Sequence, residues 1–411
     1  MKKNKKIVIV WISRFAPVSI DPSAGSKTFD YYFHNIVKDS IFDVKLISCG
    51  FYNYKSYIEK ENEDVEHEII YWNNPNTSFF SKFQNIESKF NLFNKHCNLI
   101  HNSEVNVIKK KLKYFDDKGI IPDVVILEWT NMVMLAKEIR EIFPDTRIIA
   151  SEHDVTFVGY LRKKDFFSGL KKLYWSIKYN EMHKKEIQQL RICDLILTQN
   201  IDYKTILESD GVESNKIKKL VPFYNDLTGC NRSNPEKNIL FFGAMGRPEN
   251  YLSALWFIEN VLPEIEDETI KFVIVGNNPP DVLKEKENSR IIVTGYVETV
   301  IPYFEKAMCF VAPLVLGAGI KVKVLEALSS GVPVLTNEIG IEGIPAKNNE
   351  EFLLCKNNTD YVNYIKKLSS DEEELRSIGE AGRNFIINNF SISNSIEYYK
   401  DLIQELVDFS I

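Results

Sequence analysis

The sequence predicts an α/β protein made of two doubly wound parallel-sheet domains that face each other across a cleft. Three observations predict it. Short β-branched runs alternate with helical patterns almost throughout, the mark of βα units winding a parallel sheet. The runs fall into two similar sets, and 411 residues at 44% hydrophobic can bury two ordinary cores.

The first set of strand candidates is residues 6–12, 43–48, 68–71, 123–128, 147–151 and 194–198. The opening "MKKNKKIVIVWIS" places basic residues before an apolar run, as a secretory signal does. That run stops after six residues at Ser13, too short for a signal core and far too short for a membrane span, so it reads as a buried first strand. Residues 52–115 are polar and rich in Asn and Lys, and read as helices and loops inserted in the first domain. The second set is residues 238–242, 271–275, 290–293, 308–312 and 333–336. Between the sets, Pro, Gly, Asn and Ser accumulate and no apolar period survives. The predicted domains are therefore 1–221 and 238–390 with a linker at 222–237. Residues 391–411 hold Ile396, Leu402, Ile403 and Leu406 at helical spacing, a closing helix expected to pack back on the first domain.

Composition excludes several functions. A formal charge of −6 argues against a general nucleic-acid binder, which would carry a large basic excess. Six scattered cysteines with no C-x-x-C pair suggest neither a zinc site nor a disulfide framework, and reduced thiols point to a cytoplasmic protein. "DPSAGSKT" lacks the glycines of a P-loop, which would stand at Asp21 and Ser26. "GAGIKV" has Val322 where a dinucleotide fingerprint needs its third glycine. The acidic run 264–268 reads as a solvated loop rather than a metal site.

The stretch "LGAGIKVKVLEALSSGVPVL" carries the most chemistry. Taking 308–313 as a strand and 320–330 as a helix stopped by Gly331, Gly317 and Gly319 occupy the strand-to-helix turn. Glycine there admits a ligand close to the backbone, and the first helical amides make an anion site. Lys321 adds positive charge where the helix dipole disfavours it, which destabilises the helix unless an anion sits there. Glu326 lies about six residues on, roughly 9 Å from those amides. The phosphates and ribose diol of a nucleoside diphosphate are separated by a comparable distance, and a carboxylate suits a diol. A plainer reading stays open, in which Lys323 and Glu326 form a surface pair at i, i+3.

Together with "NILFFGAMGRPENYLSALWFIENVLPEI" and "RIIVTGYVETVIPYFEKAMCFVAPL", this stretch resembles the donor-binding domain of family 4 glycosyltransferases of the GT-B fold. The similarity covers most of residues 238–390. The first half is similar more loosely, through its opening strand, "DPSAGSK" and "SEHDVTF". The resemblance implies two Rossmann-like domains and transfer of a sugar from a nucleotide-sugar donor to a saccharide or lipid-linked acceptor, with retention and without a metal. It gives Glu326 the donor ribose, and Gly319, Ile320 and Lys321 the diphosphate and sugar. Arg247 matches a phosphate clamp, and Tyr296 and Val297 the base contact. Gly25 matches a glycine turn facing the donor, and His153 a histidine touching the transferred sugar.

Two departures stand out. A second glutamate expected eight residues before Glu326 is Ala318, and the lysine expected just beyond Arg247 is missing, so that Lys321 or Lys323 is the candidate replacement for its charge. Asp21, His153 and Asp154 are the general-base candidates; the departing phosphate is another. Ala318 keeps two alternatives open: a catalytically silent partner subunit of another transferase, and a sugar-nucleotide epimerase.

Residues 161–191 hold nine Lys or Arg against three Asp or Glu, interleaved with Phe166, Phe167, Tyr174 and Trp175. Basic amphipathic helices of this kind lie on anionic membranes, which would set the protein at the inner face of the cell membrane. The other reading is a core-facing aromatic stripe with a solvated basic face.

Overall fold

The computed structural model describes residues 6–19, 23–72, 96–317 and 319–408. The chain divides into two compact units, Met1–Phe223 with Ile392–Ile411, and Tyr224–Ser391.

The first unit contains β1 (Ile7–Ser13), β2 (Phe42–Phe51), β3 (Glu66–Trp72), β4 (Val124–Glu128), β5 (Arg147–Glu152), β6 (Leu195–Thr198) and β7 (Ile217–Lys219). They pair in the order β3-β2-β1-β4-β5-β6-β7, every pair parallel. A parallel sheet is covered on both faces, which is why β1 reads as the unbroken run IVIVWI. Its alternate residues part accordingly. Val10 and Ile12 join a core with Leu112 and Phe115, whereas Ile9 and Trp11 join another with Phe29 and Phe33.

Four helices of this unit matter below: α1 (Ala24–Val37), α2 (Asn102–Asp117), α3 (Thr156–Phe166) and α4 (Gly169–Leu190). The polar stretch expected at 52–115 resolves into helix Lys55–Glu61, β3 and α2, with residues 73–95 outside the described part. β7 escaped the sequence reading because IKK offers only one apolar residue.

The second unit contains β8 (Asn238–Phe242), β9 (Lys271–Val275), β10 (Ile291–Val293), β11 (Ala307–Ala312), β12 (Val334–Thr336) and β13 (Leu353–Leu354). The order is β10-β9-β8-β11-β12-β13, again all parallel. Phe241, Phe257, Phe272, Phe304, Phe310 and Tyr361 are among its large buried side chains, Phe257 and Phe272 with ring centroids 4.6 Å apart. The helices needed here are α5 (Pro248–Asn260), α6 (Val322–Ser330) and α7 (Glu372–Asn389). Gly331, at φ 75°, stops α6 in the left-handed conformation that glycine adopts without strain.

The predicted linker is tied into this unit from Tyr224 on. The Tyr224 hydroxyl donates to the Phe390 carbonyl at 3.1 Å, and Arg232 Nη1 donates to the Phe304 and Ala307 carbonyls at 2.8 Å. Turn-rich composition hides such a segment, because its order comes from polar bonds to backbone carbonyls of neighbouring elements rather than from an apolar period.

The last helix, α8 (Ile392–Asp408), belongs to the first unit. Ile396, Tyr399, Leu402 and Ile403, spaced at three and four residues, enter the core that holds Trp11 and Phe29. The Tyr32 hydroxyl meets Ser395 Oγ at 2.6 Å, and Lys400 pairs with Asp39 at 3.2 Å.

Candidate active site

In a doubly wound sheet, ligands bind beyond the carboxyl ends of the strands, where the strand order reverses. The first unit reverses between β1 and β4, the second between β8 and β11. The residues singled out from the sequence lie in the segments that follow these and neighbouring strands.

In the second unit the loop after β8 opens with Gly243, at φ 157°. It is stitched to its neighbour, since Gly243 N donates to the Val275 carbonyl at 3.0 Å, and a Cβ on Gly276 would lie 1.7 Å from the Gly243 carbonyl oxygen. Only glycine permits that approach. Arg247 caps α5 and is paired with Glu249, its side chain 65% exposed and able to reach a ligand. Tyr296 and Val297 follow β10, Tyr296 exposed and Val297 partly so.

After β11 come Gly317 at φ 137° and Gly319 at φ 73°, both left-handed. Ala318 between them lies outside the described residues. The helix starts at Val322 and not at Ile320, with Ile320 in the loop and Lys321 as the N-cap in extended conformation. Two glycines with positive φ keep the backbone from entering the helix earlier. Glu326 is thus four residues into α6, about 6 Å along it rather than 9 Å. It is 5% exposed, and its Oε1 accepts from Asn225 Nδ2 at 2.5 Å and Asn225 N at 3.2 Å.

Lys321 is not held out as a free charge. It is 8% exposed, and its amine donates to the Gly319 carbonyl and lies 3.3 Å from Glu342 Oε2. Glu342 therefore supplies an anion near the start of α6 from within the chain, and the pair fixes the glycine loop.

Lys323 points the other way. Its amine donates to Asn250 Oδ1 and lies 5.1 Å from the centre of the Phe241 ring; a Cβ on Gly243 would come within 3.1 Å of it. The surface pair with Glu326 is replaced by a link from α6 to α5 under the β8 loop. Asn250, 4% exposed, also donates from Nδ2 to the Ala244 carbonyl at 2.8 Å and so holds that loop. Burial of the amine is the largest cause lowering its pKa to about 7, opposed by Glu249 and Glu326 and assisted by Lys321 and Arg247. The result is a cation site at the reversal point that is only marginally charged at neutral pH.

In the first unit His153 follows β5 and is 8% exposed. Its Nε2 lies 2.5 Å from Glu128 Oε1. Glu128, the last residue of β4, also accepts from Ser151 Oγ at 2.8 Å and from Trp11 Nε1 at 2.9 Å. Next in sequence, Trp129 has φ 64°, a left-handed conformation that costs energy for a bulky residue, and its ring lies 5.1 Å from that of His153. Gly25 sits in the first turn of α1 rather than in a free turn, with Ser23 as the cap. A Cβ there would lie 3.3 Å from Trp129 Nε1 and 3.5 Å from His153 Nδ1, so its small size is what lets both rings close on the helix start.

Behind this group, Glu152 and Glu186 are linked through Thr130 Oγ1, which donates to Glu152 Oε2 at 2.6 Å. Burial foremost, and Glu186 next, raise the Glu152 carboxyl well above its usual range. Burial raises Glu186 to about 8, against the opposing hydrogen bonds from Thr156 N and Phe157 N at the start of α3. A cavity of about 20 Å³, the size of one water, is bounded by Glu128, Glu152, His153 and Tyr399.

Of the other candidates, Asp154 follows His153 directly, and Asp21 lies outside the described residues. All six cysteines are free and buried. Among the described residues, Asp30, His34 and Glu61 bring ligand atoms within 4.8 Å of one another, with Glu61 already taken up by Ser19 N and Oγ. Sequence reasoning missed Glu128, Trp129 and Asn250. The first had a legible signal, an acid ending an otherwise apolar strand in "VVILEWT".

Residues 236–371 match the model of the family described as glycosyl transferases group 1. That is about a third of the chain, all of it in the second unit. The Escherichia coli UDP-Gal:alpha-D-GlcNAc-diphosphoundecaprenol alpha-1,3-galactosyltransferase is 29% identical over 185 residues, 42% of this chain and 43% of that protein. An uncharacterized 44.6 kDa protein in the cps region of Klebsiella pneumoniae is 24% identical over 164 residues, 37% of this chain and 42% of that protein. The chain thus spans less than half the length of these curated relatives. Among solved structures, sucrose-phosphate synthase from Thermosynechococcus elongatus superposes with a TM-score of 0.69 at 13% identity, over 98% of this chain and 99% of that one. Anabaena HepE in complex with UDP gives 0.64 at 10% identity, over 97% and 100%. The fold is GT-B.

Proposed function

We propose that the protein transfers a sugar from a nucleotide-sugar donor to a saccharide or lipid-linked acceptor, with retention of configuration and without a metal, in the manner of family 4 glycosyltransferases. The observation that carries this reading is the arrangement at the β8/β11 reversal. A carboxylate, Glu326, is buried one turn inside a helix whose start is a two-glycine loop, and a lysine amine, Lys323, sits under the neighbouring glycine loop. These are complementary to the two ends of a nucleoside diphosphate. The domain match to glycosyl transferases group 1 supports the reading. The UDP bound to Anabaena HepE and the UDP-Gal named for the Escherichia coli relative make uracil the first base to test, and that relative's diphosphoundecaprenol-linked substrate makes a lipid-linked sugar the first acceptor.

In this reading Glu326 exchanges Asn225 for the ribose hydroxyls, and Tyr296 and Val297 meet the base. Gly319, Ile320, Arg247, Lys323 and the first amides of α6 face the diphosphate, while Lys321 and Glu342 hold the loop. Glycosyl transfer builds negative charge on the leaving diphosphate and positive charge on the sugar, so fixed donors and cations at the diphosphate are the principal catalytic need. Arg247, Lys323 and the helix start provide them from the chain itself. His153, held by Glu128, meets the transferred sugar, and the departing phosphate takes the acceptor proton.

Glu326→Ala is expected to weaken UDP binding by about 1.5–3 kcal/mol, the scale of a charged hydrogen bond. Calorimetry with UDP, GDP, ADP and CDP on the wild type and this variant checks it. Unchanged affinity with an intact fold removes the ribose assignment. Turnover lost on adding EDTA removes the metal-free one.

A further inference from the structure

We propose that the outer face of the α3–α4 hairpin, formed by Phe166, Leu170, Leu173, Tyr174 and Ile177 with its surrounding lysines, docks on an anionic lipid surface. The hairpin has two aromatic and apolar faces, and the structure separates them. The inner one is used up in packing: Tyr160 lies against Trp175 at 5.3 Å, and Phe157 against Tyr179 at 6.4 Å and His183 at 4.6 Å. Farther along α4, Met182, Ile187 and Leu190 enter the main core. Among the described residues, nothing hides the outer face. Leu170 is 86% exposed, Ile177 60%, Leu173 58%, Tyr174 53% and Phe166 50%.

The four outer residues of α4 recur at three and four positions, which places them on one arc of about 100° at 3.6 residues per turn. A stripe of that kind is not the scatter of single apolar residues that any surface shows. Neither sequence reading is complete by itself, because the aromatic stripe that closes the hairpin and the one left outside are different sets of residues.

Charge decides the occupant. Between residues 162 and 178 the chain has Arg162, Lys163, Lys164, Lys171, Lys172 and Lys178 against Asp165 as the sole acid. Several of these lysines lie along aromatic rings, Lys163 Nζ 4.5 Å from the centre of Trp175 and Lys171 Nζ 5.4 Å from that of Phe167. These cation–π contacts fix the positive charge on the hairpin itself. A second copy of the chain would bring the same excess of positive charge against this one. An anionic bilayer offers the opposite sign at the surface and an apolar layer just below it. Among the described residues no helix is long and apolar enough to cross a membrane, so the contact is interfacial.

This proposal does not rest on the sugar-transfer reading. A protein that binds no nucleotide would still present the same face, and the experiment keeps the two apart.

The whole chain is sedimented with vesicles of phosphatidylcholine alone and of phosphatidylcholine with phosphatidylglycerol. Binding is expected with the anionic vesicles, weakening as salt is raised, and not with the neutral ones. The double variants Leu170→Glu/Ile177→Glu and Lys171→Glu/Lys172→Glu are each expected to reduce partitioning at least about tenfold. Thermal unfolding and UDP affinity, read on the same variants, are expected to stay at the wild-type values. Failure of the wild type to sediment with anionic vesicles overturns the proposal, as does partitioning that both double variants leave unchanged. A lipid-free dimer that Leu170→Glu/Ile177→Glu abolishes would give the face to a second copy and overturn it equally.

Discussion

His153 Nε2 and Glu128 Oε1 lie 2.5 Å apart, and the same carboxyl group accepts from Trp11 and Ser151. Because Glu128 is an acceptor on every side, Nε2 holds a proton and Nδ1 is the atom turned to the start of α1, where a Cβ on Gly25 would lie 3.5 Å away. His153→Ala is expected to reduce sugar transfer about 10²-fold or more, the scale for removing one fixed polar group from the transition state. Glu128→Gln keeps the shape but replaces one acceptor oxygen by a donor, which loosens the hold on Nε2, and is expected to lower kcat while KM for the donor stays within about twofold. Steady-state release of nucleoside diphosphate measures both. A raised KM with unchanged kcat would make the pair a binding element instead.

The eleven strands read from the sequence are all present, because a parallel sheet buried on both faces writes itself as continuous β-branched runs. What escaped were β7 and β13, whose IKK and LL offer too little pattern. The two-glycine turn and the Gly331 helix stop were legible since each belongs to a local spacing. The destination of a side chain was not. Lys321 and Lys323 are two residues apart, yet one turns to Glu342 and the other to Asn250, a choice set by what the fold places opposite each. Glu128 likewise gains its role from Trp11, 117 positions away in the chain.

Stability is expected to depend on pH through the Glu152–Glu186 pair. Both carboxyls are raised in the folded state, Glu186 to about 8. In the unfolded chain a glutamate loses its proton near pH 4.3. Between that value and about pH 8 the folded protein holds the extra proton, so stability falls as pH rises, by up to about 1.4 kcal/mol per pH unit for each such proton. Glu186→Gln keeps an acceptor for Thr156 N and cannot ionise. Its urea midpoint is expected to vary less between pH 5 and 8 than that of the wild type; a variant curve parallel to the wild-type curve would reject the account.

Lys323 gives the donor site a pH dependence of its own. Its amine loses most of its solvation beside Phe241 and Asn250, and burial brings its pKa to about 7 in the ligand-free protein. A bound diphosphate restores opposite charge and favours the protonated amine, so binding near neutral pH takes up a proton. The sign follows: affinity is highest where the amine is already charged and falls as pH rises above about 7, by up to about tenfold per pH unit until the pKa of the bound form is reached. Calorimetry of UDP binding in two buffers of different ionisation enthalpy reads the proton directly. Lys323→Met, which keeps the stem and removes the charge, is expected to bind more weakly at pH 6 and to abolish the uptake. Glu249 and Glu326 face the same amine and raise its pKa, whereas Lys321 and Arg247 lower it, so Arg247→Gln is expected to move the midpoint of the uptake to higher pH without removing it. Binding that is flat from pH 6 to 9 in the wild type would show that the amine does not sense the diphosphate.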